Sequence, residues 1–139
     1  MLFYERKIYI VNTTDSKGNI LIVDDELELC QLLEEILKAK HYNVFSTHTL
    51  SDATNYVDEN EPSIIFLDNI LPDGKGVNLI KKIREDHPQT KIILMTNALT
   101  DPVQEKALKD GALFLLPKPL SKGVIQIIMN EVSSSHHIV

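Results

Sequence analysis

Five side chains in this sequence are of types that could do chemistry together: Asp24, Asp25, Asp68, Thr96 and Lys118. Each one ends or follows a short apolar run. Three carboxylates brought within a few ångström repel one another, so such a group is tolerable only with cations among them. Lys118 supplies one cation. A hard divalent ion is the natural second, since magnesium prefers oxygen ligands, keeps several waters and binds through one or two carboxylates together with phosphate oxygens. An aspartate held ionised in those surroundings can act as a nucleophile toward phosphorus and form an acyl phosphate. Phosphoryl transfer asks mostly for positioning and charge stabilisation, and a metal ion, the Lys118 ammonium and the Thr96 hydroxyl could each take one equatorial oxygen.

For those residues to meet, the chain must bring several strand ends to one place. Continuous runs of Ile, Leu, Val and Phe predict strands at 20–23, 43–47, 64–67, 91–95 and 113–116, covered on both faces. Between them, apolar residues at helical spacing predict helices over 26–40 (Leu29, Leu33, Ile36, Leu37), 50–59 (Leu50, Ala53, Tyr56, Val57) and 76–86 (Leu79, Ile80, Ile83). Two more are expected over 101–110 (Val103, Ala107, Leu108) and 122–132 (Val124, Ile125, Ile127, Ile128, Val132). Asp25 is the expected N-cap of the first helix, and Gly111 ends the fourth. Five alternations of this kind predict a doubly wound α/β domain with a parallel sheet, whose strands deliver function at their carboxyl ends. Asp24, Asp25, Asp68, Thr96 and Lys118 all fall there.

The remaining chain narrows the class further. With 139 residues, 43% hydrophobic and 24% charged, one domain with a real core is expected, and the single cysteine, Cys30, rules out an internal disulfide. That usage favours a reduced, cytoplasmic protein, with Cys30 packed as a small hydrophobe. A net charge of −6 and no tryptophan argue against this domain gripping nucleic acid, and no apolar run approaches a membrane span. Residues 1–18 read as an N-terminal extension whose stretch 7–12 resembles a strand and mimics 20–24, whereas 133–139 reads as a tail. His41, His48 and His87 are expected to face solvent, as are Lys81, Lys82 and Arg84 on their helix. A calcium loop is excluded because Ile70 stands where an oxygen ligand is needed. A nucleotide-binding glycine loop is excluded too, because Gly74-Lys75-Gly76 lacks the hydroxyl after its lysine.

Taken together, the motifs resemble a known family, the response-regulator receiver domains of two-component signalling. Ile20-Leu21-Ile22-Val23-Asp24-Asp25-Glu26 resembles its acid-pair strand, and Leu67-Asp68-Asn69-Ile70-Leu71-Pro72-Asp73-Gly74-Lys75-Gly76 its phosphoacceptor loop. Met95-Thr96-Asn97-Ala98 is similar to its switch-hydroxyl strand, and Lys118-Pro119 to its lysine with the following proline. The likeness spans residues 19–132. It implies a flavodoxin-like sheet of strand order 2-1-3-4-5 and a cis bond between Lys118 and Pro119. It implies further that Asp68 accepts a phosphoryl group from a sensor histidine kinase or phosphotransfer protein. Mg2+ would be held by Asp25, Asp68 and the backbone carbonyl of Ile70, with Asp24 acting largely through water. Lys118 would pair with Asp68 and then with the phosphoryl group, and Thr96 would move toward it. Such a protein is a signalling switch that at most dephosphorylates itself, not an enzyme with turnover.

Three positions depart from the family pattern. Leu115 stands three residues before Lys118, where many members carry an aromatic, and Phe114 faces the opposite way. Ile70 and Ala98, two residues beyond Asp68 and Thr96, cannot orient an attacking water, so a long-lived phosphorylated state is expected. Two rival functions remain open at this level. An aspartate-nucleophile phosphohydrolase would need a general acid where Ile70 stands. A phosphate-independent interaction module would keep the fold alone. The downstream partner is not specified, and the apolar last helix leaves dimerisation through the last two helices open.

Overall fold

Runs of β-branched and aliphatic residues pair side by side because each can bury both of its faces. In the computed structural model, which describes residues 16–134, five strands do so: β1 (Asn19–Val23), β2 (Asn43–Thr47), β3 (Ile64–Asp68), β4 (Lys91–Thr96) and β5 (Phe114–Pro117). All neighbours are parallel, in the order β2-β1-β3-β4-β5. This is the doubly wound α/β arrangement that the sequence predicts. β3, central in the sheet, is buried at every residue.

Alternation along the strands divides the core in two. Ile20, Ile22, Phe66, Ile93 and Met95 pack on one face with α1 (Leu27–Lys38) and α5 (Lys122–Ser134). Leu21, Val23, Ile65, Leu67, Ile92 and Leu94 pack on the other. There they meet α2 (Leu50–Asn60), α3 (Ile80–Asp86) and α4 (Asp101–Asp110). Phe114 joins the first layer and Leu115 the second, on opposite faces as the alternation predicts. Each fully buried aliphatic side chain contributes roughly 1.5–3 kcal/mol relative to exposure.

Several local expectations change. Asp25 is exposed and caps nothing; the cap residue of α1 is Glu26, whose N–H donates to Asp24 Oδ1 at 2.8 Å. The expected helix at 76–86 opens as a 3₁₀ turn over Gly76–Leu79 before α3 begins. Leu108, Val124 and Ile127 are exposed, because α4 and α5 turn those positions away from the sheet. The final helix continues through Ser134, two residues past its expected end.

His87 does not face solvent. Its ring lies between Asp58 and Glu61 with 11% of the side chain exposed. Arg84 is likewise not simply solvated, since Nη1 donates to the carbonyls of Pro88 and Thr90 at 2.8 Å. The strand-like stretch 7–12 and residues 135–139 lie outside the described residues.

Candidate functional site

The hydrogen-bond ladder of the parallel sheet brings the ends of β1, β3, β4 and β5 level, and the residues just beyond them share one edge. Asp24 follows β1 and is fully buried. Its Oδ1 takes the Glu26 N–H, and its Oδ2 lies 2.8 Å from Lys118 Nζ. The Asp24 carbonyl meets His48 Nδ1 at 2.8 Å and the Cys30 thiol at 3.4 Å. Asp25, next along, is exposed.

Asp68 ends β3 and is 4% exposed. Burial pushes its carboxyl up to about 6, with the Asp24 charge adding to the effect. Lys118 and the Ile70 N–H, both bonded to the carboxylate, oppose the rise. One oxygen each from Asp24, Asp25 and Asp68 lies within 4.8 Å of the others.

Lys118 follows β5 across a cis bond to Pro119. Its ammonium is 2.8 Å from Asp24, 2.9 Å from Glu26 and 3.4 Å from Asp68. Burial alone would lower its pKa, but the hydrogen bonds to Asp24 and Glu26 outweigh that and raise it. Thr96 ends β4, fully buried, and its Oγ accepts the Ala98 N–H at 3.1 Å.

The loop after Asp68 is held by residues that sequence patterns did not single out. Buried Asn69 accepts the Gly76 N–H on its carbonyl and the Val77 N–H on Oδ1, both at 2.9 Å. Asp73 accepts the N–H groups of Leu50 and Ser51 at 2.8 and 3.0 Å, tying the loop to the start of α2. Those two donors hold its carboxyl below the usual range. At Gly76 a β-carbon would collide with the Asp68 carbonyl oxygen and press on Leu67 Cγ at 2.9 Å. Glu26 also escaped the sequence reading, although its place beside the acid pair at a helix start was a usable signal.

All five expected site residues thus share one edge. The expected emphasis shifts in one respect: Lys118 sits closer to Asp24 and Glu26 than to Asp68. An all-oxygen donor set suits a hard cation. Ligands of a magnesium ion at 2.0–2.1 Å stand about 3–4 Å from one another, which is compatible with carboxylate oxygens lying within 4.8 Å.

Residues 20–130 match the family described as the response regulator receiver domain. The chain belongs to that family. Among relatives of this receiver domain, the regulatory protein VanR of Enterococcus faecium is 37% identical over 100 residues, which are 72% of this chain and 43% of VanR. The chain spans less than half the length of the curated relatives VanR and CpxR that it matches. A two-component response regulator from Clostridium difficile superposes with a TM-score of 0.77 at 31% identity, covering 85% of this chain and 94% of that one. The beryllofluoride-activated NtrC4 receiver domain dimer gives 0.76 at 33% identity, covering 81% and 93%. Such relatives are signalling regulators. Among the described residues no helix is long and apolar enough to cross a membrane.

Proposed function

We propose that this receiver domain is a phosphoacceptor switch in a two-component phosphorelay, with Asp68 as the acceptor. One observation carries the reading: a buried carboxylate stands beside a second buried acid, with an exposed acid within 4.8 Å and an ammonium at 3.4 Å. An Asp68 carboxylate oxygen attacks the phosphorus of a phosphohistidine on a sensor histidine kinase or phosphotransfer protein. The O–P bond forms, the P–N bond breaks, and the electron pair leaves on the imidazole nitrogen, which is protonated there.

A bound Mg2+ would neutralise the carboxylates and stabilise the charge on the transferring group, held by Asp25, Asp68 and the Ile70 carbonyl, with Asp24 acting through water. The Ile70 N–H and the strand end orient the nucleophile. Lys118 moves onto the phosphoryl group. The Thr96 Oγ, which accepts the Ala98 N–H, keeps its own proton to donate to a phosphoryl oxygen, so a shift of the hydroxyl toward that oxygen pulls on Ala98 and transmits occupancy to the loop that leads into α4. With Leu115 in place of an aromatic, this contact to the backbone is the route by which the switch is read. Residues 19–134, to the end of α5, form the switching unit, acting in the cytoplasm on a protein partner rather than on nucleic acid.

Incubation with Mg2+ and a small acyl-phosphate donor tests the reading by intact mass. One phosphoryl adduct is expected on the wild type, absent in Asp68→Asn or with chelator. No adduct despite bound metal would turn the assignment toward a phosphate-independent module. Steady turnover of a phosphomonoester would revive the phosphohydrolase, although Ile70 offers no proton to a leaving group.

A further inference from the structure

Lys118 carries three N–H donors and has three carboxylates around it, yet it does not share itself evenly. Asp24 and Glu26 stand at 2.8 and 2.9 Å, and Asp68 at 3.4 Å. A phosphoryl oxygen on Asp68 could take the third N–H, but from 3.4 Å the ammonium must shift toward it, and that shift stretches the bond to whichever nearer partner is held less firmly. Asp24 is fully buried, and leaving its carboxylate uncompensated there would be strongly unfavourable. Glu26 differs, because its side chain is 55% exposed and water can take over its charge at little cost. The rest of Glu26 stays in place. Its backbone is the cap of α1, fixed by the hydrogen bond from its N–H to Asp24 Oδ1.

We infer that Glu26 is a positioning residue that holds Lys118 back from the phosphoacceptor and is the partner released when Asp68 becomes occupied. The inference rests on the phosphoacceptor reading of Asp68. Glu26 then acts as a brake whose strength is that of a half-exposed ion pair, and its removal favours the occupied state.

The probe is beryllofluoride, a tetrahedral group that bonds a carboxylate oxygen as a phosphoryl group does, titrated into the full chain in magnesium buffer and followed by 19F NMR. Glu26→Gln should bind it about two- to five-fold more tightly than the wild type, the range of an exposed pair. Glu26→Asp should do the same, because it keeps the charge but loses the reach to Lys118. Glu28→Gln, which removes an equal charge from the exposed first turn of α1, should bind as the wild type does. Equal affinities for both Glu26 variants and the wild type would overturn the inference. So would a gain in Glu28→Gln matching that in Glu26→Gln, which would mark a bulk charge effect. A wild type that takes up no beryllofluoride would defeat the phosphoacceptor reading itself, and this inference with it.

Discussion

At the carboxyl ends of the strands, one ammonium serves three carboxylates, two of them buried; at the amino ends, the imidazole of His87 has an exposed carboxylate on each ring nitrogen. Both are cation–acid clusters, and they differ in what surrounds the acids. Asp24 and Asp68 are 0% and 4% exposed, so their charges repel inside the fold and Lys118 does not fully offset them. Asp58 and Glu61 keep 54% and 73% of their side chains in water, and their pairing with His87 adds little strain. The contrast separates a site held ready for a ligand from a clasp that is already satisfied.

Removing the cation from the crowded end should have the largest effect. Lys118→Met leaves two buried carboxylates uncompensated and is expected to cost about 3–5 kcal/mol in urea unfolding without metal. Millimolar Mg2+ should restore part of that loss. An equal loss with and without Mg2+ would show that the acids do not share a cation site. Gly76→Ala comes next. Its β-carbon would displace the Asp68 carbonyl, for a cost of about 1–3 kcal/mol, together with a loss of phosphoryl uptake. Unchanged uptake would mean that the loop yields without moving Asp68.

The pH dependence of Asp68 sharpens the comparison further. Its folded-state pKa, about 6, lies above the unfolded 3.8, so the native state binds the proton first. Keeping the carboxylate ionised therefore destabilises the metal-free protein above pH 6, and that cost disappears as the pH falls through 6 toward 4. Asp68→Asn should be more stable than the wild type at pH 7 by on the order of 1–3 kcal/mol, with the gap closing below pH 4. Metal should narrow the gap at neutral pH. If the variant is no more stable in chelator, the burial cost assigned to Asp68 is wrong.

Much of the sheet and the placement of the five site residues could be read from the sequence, because both follow from local signals. Apolar runs mark strands, and the polar residue after each run lands at its carboxyl end. What escaped depends on contacts distant in the chain. Asp73 caps a helix that begins 23 residues before it, and His87 finds partners 26 and 29 residues away. Periodicity also shows which face of a helix is apolar but not how far the sheet reaches beneath it, so Leu108 and Ile127 could not be told from core positions. Glu26 was adjacent to the acid pair, yet its partner is 92 residues later, and only the folded sheet joins them.

The smallest expected effect lies at the satisfied end. A neutral imidazole has one N–H, so His87 can donate to both Asp58 Oδ1 at 2.9 Å and Glu61 Oε1 at 3.3 Å only as an imidazolium. The hydrogen bond to Asp58 is the main reason that its pKa is raised above the ordinary 6.5, with Glu61 adding to it. A raised folded-state value means that the clasp contributes fully below pH 6.5 and is lost as the pH rises through the folded value. This window lies above that of Asp68, so the two ends can be titrated apart in one protein. In an NMR titration the His87 midpoint should stand above 6.5 and fall in Asp58→Asn, with a smaller fall in Glu61→Gln because its oxygen is farther away. A midpoint at or below 6.5 in the wild type would mean that the ring stays neutral at neutral pH, and the contrast between the two ends would lose its satisfied half.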